Sequence, residues 1–260
     1  MTVFWGLMIP LAGTTLGSAC VFFLKDKLNE LLQKGLLGFA SGVMVAASVW
    51  SLLIPSMDMA AGMGRFAFVP AATGMLLGMA FLLGMDRVIP HLHLGTQEAE
   101  GPKTSLKKTT MLVLAVTLHN IPEGMAVGVV FAGMLSGSTE ITVAGAFSLA
   151  IGIAIQNFPE GAAVSIPLRR EGYSRRKCFF IGQASGFVEP IAGVLGALLA
   201  VYIEAVLPFA LSFAAGAMIL VAVHELIPEC QRNQKAQPYA ATMGIVTGFA
   251  LMMLLDVMLG

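Results

Sequence analysis

His119-Asn120-Ile121-Pro122-Glu123-Gly124 and Gln156-Asn157-Phe158-Pro159-Glu160-Gly161 lie 37 residues apart, each inside an apolar run long enough to cross a membrane. The two stretches share Asn, Pro, Glu and Gly at matching positions. Each therefore sets a carboxylate where lipid would otherwise surround the chain. An ionised side chain at that depth costs several kcal/mol and is normally kept for function. The same motif twice in one bilayer reads as two halves of one polar site.

Composition agrees with a membrane setting. Of the 260 residues 57% are hydrophobic and only 12% charged, against about 25% charged in a soluble domain. Eight apolar runs are expected to be helices, at roughly 3–24, 36–57, 66–86, 109–133, 141–166, 178–203, 206–228 and 239–259. The first has no basic leader or A-x-A-like cleavage site, so it reads as a retained helix. The expectation is an all-α membrane protein with one transmembrane domain over 1–260 and a flexible cytoplasmic loop at 87–108. Zero net charge and no basic stripe argue against a nucleic-acid partner. Cys20, Cys178 and Cys230 are unevenly placed and imply no disulfide framework.

Basic residues set the expected orientation. Lys25, Lys27 and Lys34 fall between helices 1 and 2, and Arg87, Lys103, Lys107 and Lys108 between 3 and 4. Arg169, Arg170, Arg175, Arg176 and Lys177 fall between 5 and 6, and Arg232 and Lys235 between 7 and 8. Arg65 alone lies on the other side. The positive-inside rule makes the four basic connections cytoplasmic and puts both termini outside.

Short matches recur across the chain. Pro10-Leu11-Ala12-Gly13 returns as Pro190-Ile191-Ala192-Gly193. Helix 2 carries Phe39-Ala40-Ser41-Gly42-Val43-Met44 and Leu53-Ile54-Pro55; helix 7 carries Phe213-Ala214-Ala215-Gly216-Ala217-Met218 and Leu226-Ile227-Pro228. Gly74, Gly78, Ala80 and Asp86 of helix 3 match Gly244, Gly248, Ala250 and Asp256 of helix 8. Helices 1–3 thus resemble 6–8, and helix 4 resembles 5, in opposite directions through the membrane. Inverted repeats of this kind mark secondary transporters with a site near the midplane.

On helix 4, His119 and Glu123 are four residues apart and share a face, bordered by Asn120. Gln156, Asn157 and Glu160 stand in the same relation on helix 5. Pro122 and Pro159 free the carbonyls of Leu118 and Ile155, which a membrane tolerates only beside protein or water. One imidazole, two carboxylates and several amides suit Zn²⁺, Fe²⁺, Mn²⁺ or Cd²⁺ better than alkali ions, and the lack of cysteine argues against Cu(I). The competing reading is an interhelical hydrogen-bond network that only joins helices. Glu189 in helix 6 adds a third acid, with Gln183 and Ser185 before it, and would let two cations share the site. In helix 7, His224-Glu225-Leu226-Ile227-Pro228 fails the zincin pattern because Pro228 stands where the second His belongs. His224 and Glu225 are read as exit-path ligands, and His91 and His93 as candidate loop ligands.

With these motifs and eight helices the chain resembles the ZIP (Zrt/Irt-like protein) family of divalent metal transporters, in its compact prokaryotic, GufA-like form. The resemblance implies no enzymatic activity and no prosthetic group, with the metal as substrate: zinc first, with iron, manganese and cadmium as alternatives. It implies a lipid-embedded homodimer in the plasma membrane (the inner membrane of a bacterium) carrying metal into the cytoplasm. It puts His119, Glu123, Gln156 and Glu160 at one metal, and Asn120, Glu123, Asn157, Glu160 and Glu189 at another. It also implies a slide of helices 1, 4, 5 and 6 against 2, 3, 7 and 8. The rival reading is a proton-coupled carrier of another solute using the same carboxylates.

Overall fold

A computed structural model describes residues 1–23, 29–92, 99–202, 204–232 and 239–259. Among the described residues eight helices are long and apolar enough to cross a membrane: α1 Thr2–Phe23, α2 Glu30–Met59, α3 Phe68–Val88, α4 Lys108–Leu135, α5 Val143–Arg169, α6 Arg175–Ala200, α7 Leu207–Gln231 and α8 Ala240–Leu259. Among the described residues the only β-pairing is an isolated bridge between His91 and Glu100. The protein is an all-helical, multi-pass membrane protein. Lys25, Lys27, Lys235 and His93 lie outside the described residues.

Polar ends extend the helices past their apolar runs. Helix α2 starts at Glu30 rather than near 36, because Asn29 accepts a hydrogen bond from the Leu31 N–H and Glu30 pairs with Lys34 at 2.9 Å. Ser174 caps α6 in the same way through the Lys177 N–H. Between α4 and α5, Gly137 adopts φ 77°, a left-handed turn suited to glycine. The hydroxyls of Thr139 and Ser138 there hold the Glu140 carboxyl below the usual carboxylate range.

Three helices are irregular at prolines. In α2, Ser48–Leu53 widens to π geometry just ahead of Pro55; in α7, Val221–Leu226 does so just ahead of Pro228. Helix α6 breaks at Phe187, whose N–H turns to Ala184 O, just before Glu189-Pro190. A proline removes a helical hydrogen bond and its ring presses on the carbonyl four residues back, so a wider or broken turn relieves it.

Four helix pairs make the most extensive contacts: α1 with α5, α2 with α8, α3 with α7 and α4 with α6. Small residues permit the approach. Gly13 and Gly17 of α1 rest on the carbonyls of Ala154 and Phe158, and Gly128 of α4 on that of Gly193. Gly42 of α2 rests on Ile245 O and Gly78 of α3 on Phe213 O. In lipid, such contact replaces the hydrophobic effect as the force between helices. Helices α1, α4, α5 and α6 form one block and α2, α3, α7 and α8 another, joined mainly through α2–α5, α4–α7 and α5–α8. The outer faces carry exposed apolar side chains such as Leu76, Leu199 and Val246, as a lipid-facing surface requires.

A methyl group at Gly128 would strike the carbonyl of Gly193, whereas one at Gly84 meets nothing within 4 Å. Gly128→Ala should therefore destabilise the protein in detergent by roughly 1–3 kcal/mol, the usual scale for overpacking. Gly84→Ala should leave the melting temperature unchanged. Equal melting temperatures for both variants would contradict close packing of α4 on α6.

Candidate metal site

The polar residues of the two motifs meet where α4 and α5 cross the centre of the bundle. Asn120, Glu123, Gln156 and Asn157 are fully buried, and His119, Glu160 and Glu189 nearly so. Helix α4 supplies His119 and Glu123 from one face, and α5 supplies Gln156 and Glu160 from the equivalent face. Gln156 Nε2 donates to Glu123 Oε1 at 2.6 Å, which links the two motifs directly. Glu160 and Glu189 both lie within electrostatic range of Glu123. Asn157 sits beside Glu123 and Glu189 without a hydrogen bond of ordinary geometry.

The third acid comes from the break in α6. Thr14 of α1 donates its hydroxyl to Glu189 Oε1 at 2.8 Å. Asn120 Nδ2 donates to the Ser185 carbonyl at 2.9 Å, just ahead of that break. The acid therefore reaches the centre because α6 is interrupted at Phe187.

Many acceptor atoms here have no partner among the described residues. They are Asn120 Oδ1, Glu123 Oε2, Gln156 Oε1, Asn157 Oδ1, both oxygens of Glu160 and Glu189 Oε2. Leaving one buried polar atom unmade costs about 1–3 kcal/mol, more if it is charged. So many oxygen acceptors in one place fit a cation. Among the described residues, no three His, Cys, Asp or Glu side chains converge to hold an ion by themselves. Amides supply the balance. Gln156 presents its NH₂ to Glu123, and a half-turn of the amide would present its oxygen instead.

Helix α7 completes one side. Glu225 is buried and contacts His119 Nε2 directly, as an ion pair if the imidazole is protonated. His224, its neighbour, is exposed on the outside of the helix and does not join the site. A cavity of about 40 Å³ runs beside His119 and Glu160, lined also by Glu225, Glu229, Leu37 and Leu112. That is room for a few water-sized species. It lies toward the end of the bundle that carries the basic connections, since Leu37, Leu112 and Glu229 sit near the ends of α2, α4 and α7 on that side.

Of the two loop histidines only His91 lies among the described residues. His91 is fully buried, with Nδ1 2.8 Å from Ile89 O, Nε2 3.9 Å from Asp86, and its backbone bridged to Glu100. It is a packed residue at the foot of α3, not a solvated ligand on a free loop. An acid outside the two central motifs joins the blocks elsewhere. Asp256 of α8 accepts from Ser51 of α2 at 2.9 Å and from Ser148 of α5 at 3.3 Å. It ties the two blocks together near the end of the bundle opposite Glu229.

This constellation sits in a chain whose relatives are known. The profile of the ZIP Zinc transporter family matches residues 94–256. The chain is 37% identical to zinc transporter ZIP11 of Homo sapiens, over 98% of this chain and 95% of that protein. It is 39% identical to zinc transporter ZIPB of Bordetella bronchiseptica, over 96% and 78%. It is 38% identical to zinc transporter GufA of Myxococcus xanthus, over 96% of each. Eight apolar helices define a polytopic membrane protein, and the family match puts it among transporters of divalent metal cations. The chain belongs to the ZIP family, in its compact GufA-like form, whose members are transporters rather than enzymes and hold no prosthetic group.

Thr14 is the hydroxyl on which Glu189 depends. Thr14→Val should destabilise the protein by about 1–3 kcal/mol, the scale of a lost hydrogen bond to a buried charged group. The loss should shrink when Glu189→Gln is already present. Equal losses in both backgrounds, measured by thermal unfolding in detergent, would show that the two residues act independently.

Proposed function

We propose that this protein carries zinc across the plasma membrane (the inner membrane of a bacterium) into the cytoplasm, through a mid-membrane site of two metals. One metal takes His119, Glu123, Gln156 and Glu160; the other takes Asn120, Glu123, Asn157, Glu160 and Glu189. Glu123 and Glu160 bridge. The observation that carries the reading is the set of buried oxygen acceptors without partners where the two repeated motifs meet. Iron, manganese and cadmium compete for the same donor types, and selection among them falls to geometry.

The proposed orientation follows from charge. The cavity beside His119 and Glu160 lies toward the basic end of the bundle, which the positive-inside rule makes cytoplasmic. Both termini then face out. Glu225, against His119, stands where a cation leaving the site would pass.

Alternating access draws on the repeat. Exchanging helices 1–3 for 6–8 and 4 for 5 maps the α1–α5 pair onto α6–α4 and the α2–α8 pair onto α7–α3, the four closest pairs. The same exchange maps one π segment onto the other. The working motion is a slide of the α1, α4, α5, α6 block against α2, α3, α7 and α8. Polar contacts cross between the blocks at two levels: His119–Glu225 beside the site, and Ser148–Asp256 near the end of the bundle opposite Glu229. Two copies form a homodimer set in lipid.

Zinc flux into proteoliposomes tests the function. Glu123→Ala or Glu160→Ala should nearly abolish flux while the protein stays folded and inserted, since each removes a ligand from both metals. Wild-type flux in either variant at matched abundance would overturn the assignment.

Two further measurements separate the metals and the protons. Glu189→Gln should lower the zinc content of purified protein from two toward one and leave partial flux; loss of both metals together would make the site a single unit. Carboxylates and imidazole bind metal only when deprotonated, so zinc and protons compete. Apparent zinc affinity should weaken steadily as pH falls from neutral to mildly acidic. A flat profile would contradict carboxylate and imidazole ligation.

A further inference from the structure

Helix α7 is wound too wide at the place where it meets the site. Through Val221–Leu226 it has π geometry, and the Ile227 N–H bonds Ala222 O, five residues back instead of four. Pro228 follows. It has no N–H to offer the carbonyls of Val223 or His224, and in a regular α-helix its ring would press on the His224 carbonyl. The extra residue in the π turn relieves that clash.

The turn decides which side chain faces α4. Each residue of an α-helix advances about 100° around the axis, so one inserted residue exchanges neighbours on a face. Here Glu225 is buried against His119 while Val223 and His224 are exposed. The equivalent helix uses the same device. Ser48–Leu53 of α2 is a π segment, the Ile54 N–H bonds Val49 O, and Pro55 comes next. From inside that turn Ser51 reaches Asp256. Two helices thus deliver a polar side chain to a neighbour from a π turn set by a proline.

We propose that Pro228 is a positioning residue for cation movement: by enforcing the π turn it directs Glu225, and not His224, onto His119. The proposal rests on the transport reading, and one of its two tests does not need flux. In the first, Pro228→Ala restores the missing N–H and lets α7 relax toward α geometry. Misplaced supporting groups at metal sites typically cost about 10- to 100-fold. Pro228→Ala and Glu225→Gln should each lower maximal zinc flux by roughly that factor. The double variant should fall no further than the worse single. Effects that multiply, or wild-type flux in Pro228→Ala, would overturn the proposal.

The second test is spectroscopic. With Cys20, Cys178 and Cys230 replaced by serine, a nitroxide attached at position 224 should give the mobile spectrum of an exposed site. Pro228→Ala should immobilise it as the register turns. An unchanged spectrum would overturn the proposal even if the protein moved no zinc, whereas absent flux with the expected spectral change would count against the transport reading alone. Should Pro228→Ala fail to reach the membrane, Pro228→Ser restores the same N–H and carries the same expectations.

Discussion

Carboxylates held away from water govern this molecule. Glu123, Glu160 and Glu189 sit within electrostatic range of one another in the middle of a lipid-exposed helical bundle. Isolated ionised groups there are disfavoured by several kcal/mol, and three acids near each other add repulsion. Only part of that is offset by the protein: Gln156 serves one oxygen of Glu123 and Thr14 one oxygen of Glu189. Glu123 Oε2, Glu189 Oε2 and both oxygens of Glu160 are left buried without a hydrogen-bond partner among the described residues. In the proposed reading a divalent cation supplies the charge and the coordination that this set of acceptors lacks.

The surrounding architecture follows from holding that set in place without closing it permanently. Glycines bring α4 against α6 and α1 against α5 at backbone contact, so the helices that carry the donors pack as one block. Prolines do the opposite work. Pro122 and Pro159 interrupt the hydrogen-bond ladders of α4 and α5 beside the donors, Pro190 follows the break that brings Glu189 inward, and Pro55 and Pro228 follow the π turns. Rigid contacts thus lie within each block, and irregular turns lie beside the site and at the seam. That distribution suits a protein that shifts one block past another while its ligands stay fixed within theirs.

The eight spans were legible in the sequence because twenty apolar residues have few other uses, and the end that moved furthest was the start of α2, which the Asn29 cap carries back to Glu30. The meeting of α4 and α5 was legible from the repeated motif alone. Other features carry no periodic signal. Thr14 is one hydroxyl in an apolar run, and only the tertiary pairing of α1 with α6 gives it Glu189 as a partner. The contact of Glu225 with His119, and the outward position of His224, depend on one extra residue in a π turn, which a 3.6-residue period does not represent. His91 reads as a loop residue because burial there comes from a backbone bridge to Glu100, nine positions on.

The most direct test is to locate the metal. Crystals of the protein grown with zinc, measured at the zinc absorption edge, should show anomalous peaks between α4 and α5. Those peaks should lie at ordinary zinc–oxygen and zinc–nitrogen distances, about 2.0–2.2 Å, from Glu123, Glu160 and at least one of His119 and Gln156. Peaks confined to the loops or to the outer acids Asp58 and Glu140, with none between α4 and α5, would contradict the account.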